Sequence, residues 1–155
     1  VSTCGVVPKI YEYANFDLQV NLAISLHAPN NKIRNEIMPI NKAYDINELV
    51  EAISFYIEKT NSRVTIEYIL LDGINDTPSC AHELANLLNG LNVYINLIPY
   101  NEVIEKPYKR SKKENMKAFF DILKKRGMNV TLRKEQGGDI DAACGQLRSK
   151  HIKKY

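Results

Sequence analysis

The chain has 155 residues, 45% of them hydrophobic, enough for one packed domain or a piece of a larger one. It has no apolar run near the ~20 residues that cross a bilayer, and "VSTCGVV" at its start lacks the basic, then apolar, pattern of a secretory signal. Three cysteines at irregular spacing, with no CxxC or CxxxCxxC, argue against a disulfide framework, offer no zinc or iron–sulfur ligand set, and point to a reducing, cytoplasmic setting.

In chain order, "VSTCGVVP" (1–8) reads as the end of a strand plus its loop. "LQVNLAISL" (18–26) reads as a strand with Leu18, Val20, Leu22, Ile24 and Leu26 on one face. Its other face, Gln19, Asn21, Ala23, Ser25 and His27, is small and polar, as in a strand that lines a ligand cavity. "NNKIRNEIM" (30–38) reads as a short helix stopped by Pro39. Residues 45–60 form a helix with Asp45 and Glu48 as a capping box. Residues 63–71 are β-branched and extended, and 72–76 are a loop. A helix follows over 77–90, capped by Thr77 and ended by Gly90, and then a strand over 93–100. The last pair is a helix over 111–127, with Ser111 and Glu114 as a capping box, and a strand over 129–134.

This β-α-β-α-β-α-β alternation predicts an α/β fold with a parallel sheet and helical crossovers. Four or five strands cannot close an eight-stranded barrel, so further strands are expected upstream, with residues 1–155 as one partial-barrel domain. In such folds ligands gather at the carboxyl ends of strands. Here those ends are "STCG" (2–5), "SLHAPN" (25–30), "LLDGIND" (70–76), "IPYN" (98–101) and "RKEQGGDIDAACG" (133–145). There is no GxGxxG or Walker-type loop to indicate a dinucleotide or P-loop site.

His27 extends the polar strand face, and its place at a strand end balances a ligand-binding role against that of a hydrogen-bonded structural residue. His82 in a helix and His151 in a basic tail read as structural or solvated. Cys80 receives no role, and a small residue at Cys4 fits space beside a ligand. Cys144 is sterically open between alanines and glycines, as a nucleophile on a loop would be. Asp139 and Asp141 disfavour its thiolate, so spacing alone does not raise it above an unreactive small residue. Charge is uneven: residues 1–105 carry 6 basic and 13 acidic side chains, residues 106–155 carry 15 and 5. The basic part fits a polyanion such as RNA, and equally a set of solvated lysine faces.

Taken together, "VSTCGVVPKI", "NLAISLHAPN", "R-x-x-I-M-P-I-N-K", "YILLDGIND", "NLIPYN", "PYKR" and "GGDIDAACGQL" resemble, in order and approximate spacing, the RlmN/Cfr family. These are radical S-adenosylmethionine (SAM) enzymes that methylate an adenosine of large-subunit ribosomal RNA. The resemblance covers essentially the whole chain. It is nearer the branch that acts at adenine C2 than the branch that acts at C8. It implies the carboxyl-terminal portion of a partial (βα) radical-SAM barrel. A [4Fe–4S] cluster on a CxxxCxxC motif, a second catalytic cysteine and a small RNA-binding domain would lie upstream. By position, Ser2, Ser25, Leu26, His27 and Asn101 would contact SAM, and Cys144 would carry the methyl group. The family's usual "STSG" reads "STCG" here, with Cys4 in place of a serine.

The implied reaction uses SAM twice, once to methylate Cys144 and once as the source of a radical that activates that methyl. The upstream cysteine would then release the product through a transient disulfide. The implied partners are 23S rRNA and, as in some family members, tRNA, with an external electron donor. The expected protein is a cytoplasmic monomer, and this piece alone would be inactive. A non-catalytic RNA-binding barrel without the cluster is the alternative from another class.

Overall fold

The computed structural model describes residues 1–16, 20–103 and 105–133; Cys144 and the rest of "GGDIDAACGQL" lie outside them. The elements are β1 (Ser2–Thr3), α1 (Val7–Ala14), β2 (Leu22–Ser25), α2 (Asn31–Ile37), a 3-10 turn (Pro39–Lys42) and α3 (Ile46–Thr60). They continue as β3 (Val64–Leu70), α4 (Pro78–Leu87), β4 (Val93–Pro99), α5 (Lys113–Lys125) and β5 (Val130–Leu132). The five strands form one parallel sheet in the order β1-β2-β3-β4-β5, so spatial order follows chain order. All five carboxyl ends therefore lie on one edge, as expected for part of a (βα) barrel.

Alternation along the strands separates two faces. Leu22, Ile24, Val64, Ile66, Tyr68, Leu70, Val93, Ile95 and Leu97 are buried. They pack with Ile10 of α1, Leu49 and Ile53 of α3, Leu84 of α4, and Phe119 and Leu123 of α5 in one core. Each such aliphatic side chain contributes about 1.5–3 kcal/mol on burial. Their alternates, Ala23, Ser25, Thr65, Glu67, Asn96 and Thr131, form the opposite, more open face.

The capping box of α3 forms as expected. The Asp45 carboxylate accepts from the N–H groups of Asn47 and Glu48, and the Asp45 N–H donates to Glu48 Oε2 at 2.9 Å. Three expectations need correction. Val7 and Pro8, expected in the loop after the first strand, instead open helix α1, in which Val7, Ile10 and Ala14 bury one face and Pro8 suits the first turn. It docks on α3, with Tyr13 stacked on Tyr56 at 5.9 Å. Strand β2 begins at Leu22, and Val20 is outside it, its carbonyl accepting from the Tyr56 hydroxyl at 3.0 Å. Ser111 does not cap α5: the N-cap is Lys112, without a side-chain bond. The buried Ser111 hydroxyl instead donates to Asp76 Oδ2 at 2.5 Å, because a buried carboxylate needs donors more than an exposed helix end does.

Candidate active site

The carboxyl edge is built around residues that bind backbone. At the β1 and β2 ends, the fully buried Arg34 of α2 donates Nε–H to the Leu26 carbonyl at 3.2 Å and Nη2–H to the Cys4 carbonyl at 2.7 Å. Its Nη2 also reaches the Ser25 carbonyl at 3.5 Å, and Nη1 donates to Asn41 Oδ1 at 3.0 Å. Asn41 is fixed in turn by donating to Asn31 and Asn35. Every partner of Arg34 in this network is neutral, and burial pulls its pKa below the ordinary arginine value. Gly5 makes room for this guanidinium: its φ is +109°, and a Cβ there would stand 3.1 Å from Arg34 Nη2 and from Leu49.

His27 sits just past β2 with φ of +58°, a left-handed conformation uncommon for a side-chain-bearing residue. Three bonds hold it there. Its N–H reaches the Glu67 carbonyl at 3.3 Å, its carbonyl accepts from Asn75 Nδ2 at 2.8 Å, and its Nδ1 accepts the Ile69 N–H at 3.1 Å. Burial first, and the nearby Arg34 charge second, push its pKa down to about 4, against a smaller opposing contribution from the Glu67 backbone. The ring is therefore neutral at pH 7. With Nδ1 accepting, its proton is on Nε2, so the ring is a donor there and not a base at Nδ1.

The β3–α4 loop completes the edge. Asn75 is fully buried; its Oδ1 accepts the Leu71 N–H at 2.8 Å and its Nδ2 also reaches the Ile69 carbonyl. The buried Tyr68 hydroxyl donates to the Asn75 carbonyl at 2.8 Å. Asp76 accepts from Gly73 N–H, Ser111 and Asn115, tying the loop to the start of α5. A strap from the β4 end crosses this loop: Leu71 bridges Arg110 in antiparallel fashion, and Asp72 N–H donates to the Lys109 carbonyl at 2.9 Å.

Of the expected site residues, Ser2 is exposed in β1 opposite Ala23, and Ser25 ends β2 on the open face. Leu26 turns its side chain into the core and its N–H donates to Glu67; its carbonyl accepts from Arg34 and has a second lone pair, so a ligand contact there would be through that oxygen. Ser2, Ser25 and His27 thus share the β1–β2 ends. Asn101 is exposed two strands away, just after β4, where Tyr100 meets Tyr108 edge to face at 6.4 Å. Cys144 lies outside the described residues. Cys4 is an exposed free thiol, whereas Cys80 is buried against Thr77. Arg34, Asn75 and Asp76 were visible only as parts of quoted motifs; their burial was the signal that sequence did not carry.

Such an edge suits a small polar ligand: hydroxyls, a neutral imidazole N–H and fixed backbone lie together on a rigid frame. Among the described residues no three His, Cys, Asp or Glu side chains are grouped as metal ligands would be. Among the described residues, too, no helix is long and apolar enough to cross a membrane.

No family model matches the chain. Its curated relatives include proteins named probable dual-specificity RNA methyltransferase RlmN. That of Spiroplasma citri is 58% identical over 97% of this chain and 43% of the relative, and that of Acholeplasma laidlawii 57% identical over 98% and 45%. The Listeria monocytogenes protein is 59% identical over 99% of this chain and 43% of its own length. A crystal structure of a radical SAM methyltransferase from Sphaerobacter thermophilus superposes with a TM-score of 0.91 at 47% identity, over 94% of this chain and 43% of that one. A domain of pyruvate-formate lyase-activating enzyme from Bacteroides vulgatus, 17% identical, shares the fold with a TM-score of 0.65, over 86% of this chain and 80% of that one. The chain spans less than half the length of the curated relatives it matches. Over nearly its whole length, then, this chain is a homologue of the RlmN-type radical SAM methyltransferases, covering part of their length.

Proposed function

We propose that the protein carrying this chain is a radical SAM methyltransferase that places a methyl group on C2 of an adenosine in 23S rRNA and also acts on tRNA. The observation that supports this most is the neutral, left-handed His27, held by three bonds beside Ser2 and Ser25 on the carboxyl edge. Strain of roughly 1–3 kcal/mol kept at a strand end is characteristic of a functional position. The relatives are named RNA methyltransferases, which supports the reaction class.

When bound, SAM supplies both the methyl group and the source of the radical chemistry. The chain's own residues bind and orient. His27 offers its Nε2–H, Ser2 and Ser25 offer hydroxyls, Leu26 offers backbone, and Asn101 offers its amide from the far side. Arg34 keeps the β1 and β2 ends at a fixed separation. Cys144 holds the methyl as a thioether. An ordinary displacement from SAM onto adenine C2 fails because that carbon is not nucleophilic, whereas a methyl parked on sulfur can be activated and then released by thiol exchange.

RNA is proposed to approach the same edge. Lys109 and Arg110 form the strap, and Lys112 and Lys113 follow it at the start of α5, at the edge where the strands end. Lys124, Lys125 and Arg126 close α5 at the opposite edge and are read as solvated. The test uses the complete protein and Cys144→Ala, with mass spectrometry of nucleosides from the product RNA. The expected result is 2-methyladenosine from wild type and none from the variant. Unchanged methylation by Cys144→Ala, or a C8-methylated product, would overturn this reading.

A further inference from the structure

The open face of the sheet carries one acid that none of the roles above uses. Strand register sets Ser25, Glu67, Asn96 and Thr131 side by side on β2, β3, β4 and β5. Neighbours in such a row stand roughly 4.8 Å apart. Ser25 is one of the proposed SAM contacts, so Glu67 is the next side chain along the floor of the same site.

Glu67 is also joined to the His27 turn, since its carbonyl accepts the N–H groups of both Leu26, at 3.1 Å, and His27. Its carboxylate is half-buried in the middle strand and accepts from Asn96 Nδ2 at 2.9 Å. Among the described residues it forms no ion pair, and its row neighbours are uncharged. Glutamate is depleted in strands, and a sheet needs no acid at this position. A carboxylate that is partly desolvated, oriented by an amide and left without a cation is an acceptor presented to something else.

We propose that Glu67, oriented by Asn96, is a further binding residue of this site and accepts hydrogen bonds from donor groups of SAM. This rests on the reading that SAM occupies the carboxyl edge. SAM has two sets of donors, the ribose hydroxyl pair and the methionyl ammonium, and both match a carboxylate acceptor.

The experiment measures equilibrium binding of SAM, S-adenosylhomocysteine and 5′-methylthioadenosine to the complete protein, reconstituted anaerobically with iron and sulfide. Wild type is compared with Glu67→Gln, which keeps size and removes charge, and with Asn96→Ala, which removes the orienting amide. Thermal unfolding of each variant is followed alongside. Glu67→Gln is expected to weaken SAM about 10- to 100-fold, the range for a hydrogen bond to a charged group. Asn96→Ala is expected to weaken it less, and carries the test if Glu67→Gln does not fold. Equal weakening of all three ligands assigns the contact to the ribose, and weakening of the two methionyl ligands alone assigns it to the ammonium. Either outcome upholds the proposal. Weakening confined to SAM would point to the sulfonium and overturn the hydrogen-bonding assignment. Affinities within twofold of wild type for all three ligands would overturn the proposal and leave the SAM reading standing. Failure of wild type to bind SAM would overturn both.

Discussion

The two edges of the sheet are built differently. At the carboxyl edge, Arg34, Asn75 and Asp76 are buried polar side chains, and each is bonded to several neighbours. At the amino edge, Asn21, Arg63, Thr65 and Asn92 line an open cavity of about 370 Å³. Arg63 there lies over the Tyr94 ring, 5.0 Å from its centroid, and Tyr94 hydrogen-bonds Thr131. This cavity is therefore not at the edge where the strained and neutralised residues are. Volume marks where packing stops; networks of buried polar groups mark where geometry is held.

The contrast can be broken first at Arg34. Arg34→Ala leaves the carbonyls of Cys4 and Leu26 and the side chain of Asn41 without their donor, and is expected to cost roughly 3–5 kcal/mol in urea unfolding. Arg34→Lys should recover part of this. A loss below about 1 kcal/mol would show that the edge does not depend on the guanidinium.

A pH titration tests the same edge from the side of His27. Its pKa is about 4 in the folded protein against 6.5 for the free side chain. The unfolded chain thus binds a proton that the folded one refuses. The stability from neutral His27 is fully present above pH 6.5 and is lost as pH falls toward 4, on the order of 3 kcal/mol in all. His27→Gln should flatten that part of the stability–pH curve, and an equally steep curve in the variant would assign the slope elsewhere.

Ser111→Ala removes one donor to the buried Asp76, with an expected cost of about 1–3 kcal/mol. It should also speed hydrogen exchange at the Asp72 amide, which the strap protects. At the amino edge Arg63→Ala is expected to cost less than about 1 kcal/mol, the size of an exposed cation–π contact. A larger loss would erase the distinction between the edges.

What could be read in advance follows the range of the interactions. The Asp45–Glu48 box was legible because its partners lie three residues apart. The alternation of Leu22, Ile24 and Leu26 with Ser25 and His27 was legible because period two is local. Ser111 was misread because its partner, Asp76, is 35 residues away, and a local capping pattern gives no sign of that competition. Arg34 looked like any charged residue of a short helix, since its burial depends on a carbonyl 30 residues upstream. Helix α1 has a valid apolar spacing, but eight residues give a weak periodic signal. The set of strand ends was placed on one edge by topology alone, whereas the row that joins Ser25 to Glu67 needed the register.

The agreement of spatial with chain order bears on how the molecule is made. Each strand leaving the ribosome meets the neighbour it pairs with already synthesised, so the sheet can grow by addition at one side. The Lys109–Arg110 strap crosses back to Leu71–Asp72 and is translated after β4. Hydrogen exchange on stalled nascent chains is expected to show β1 to β3 protected before the Asp72 amide is, so that the first three strands are in place before the mouth of the site is closed.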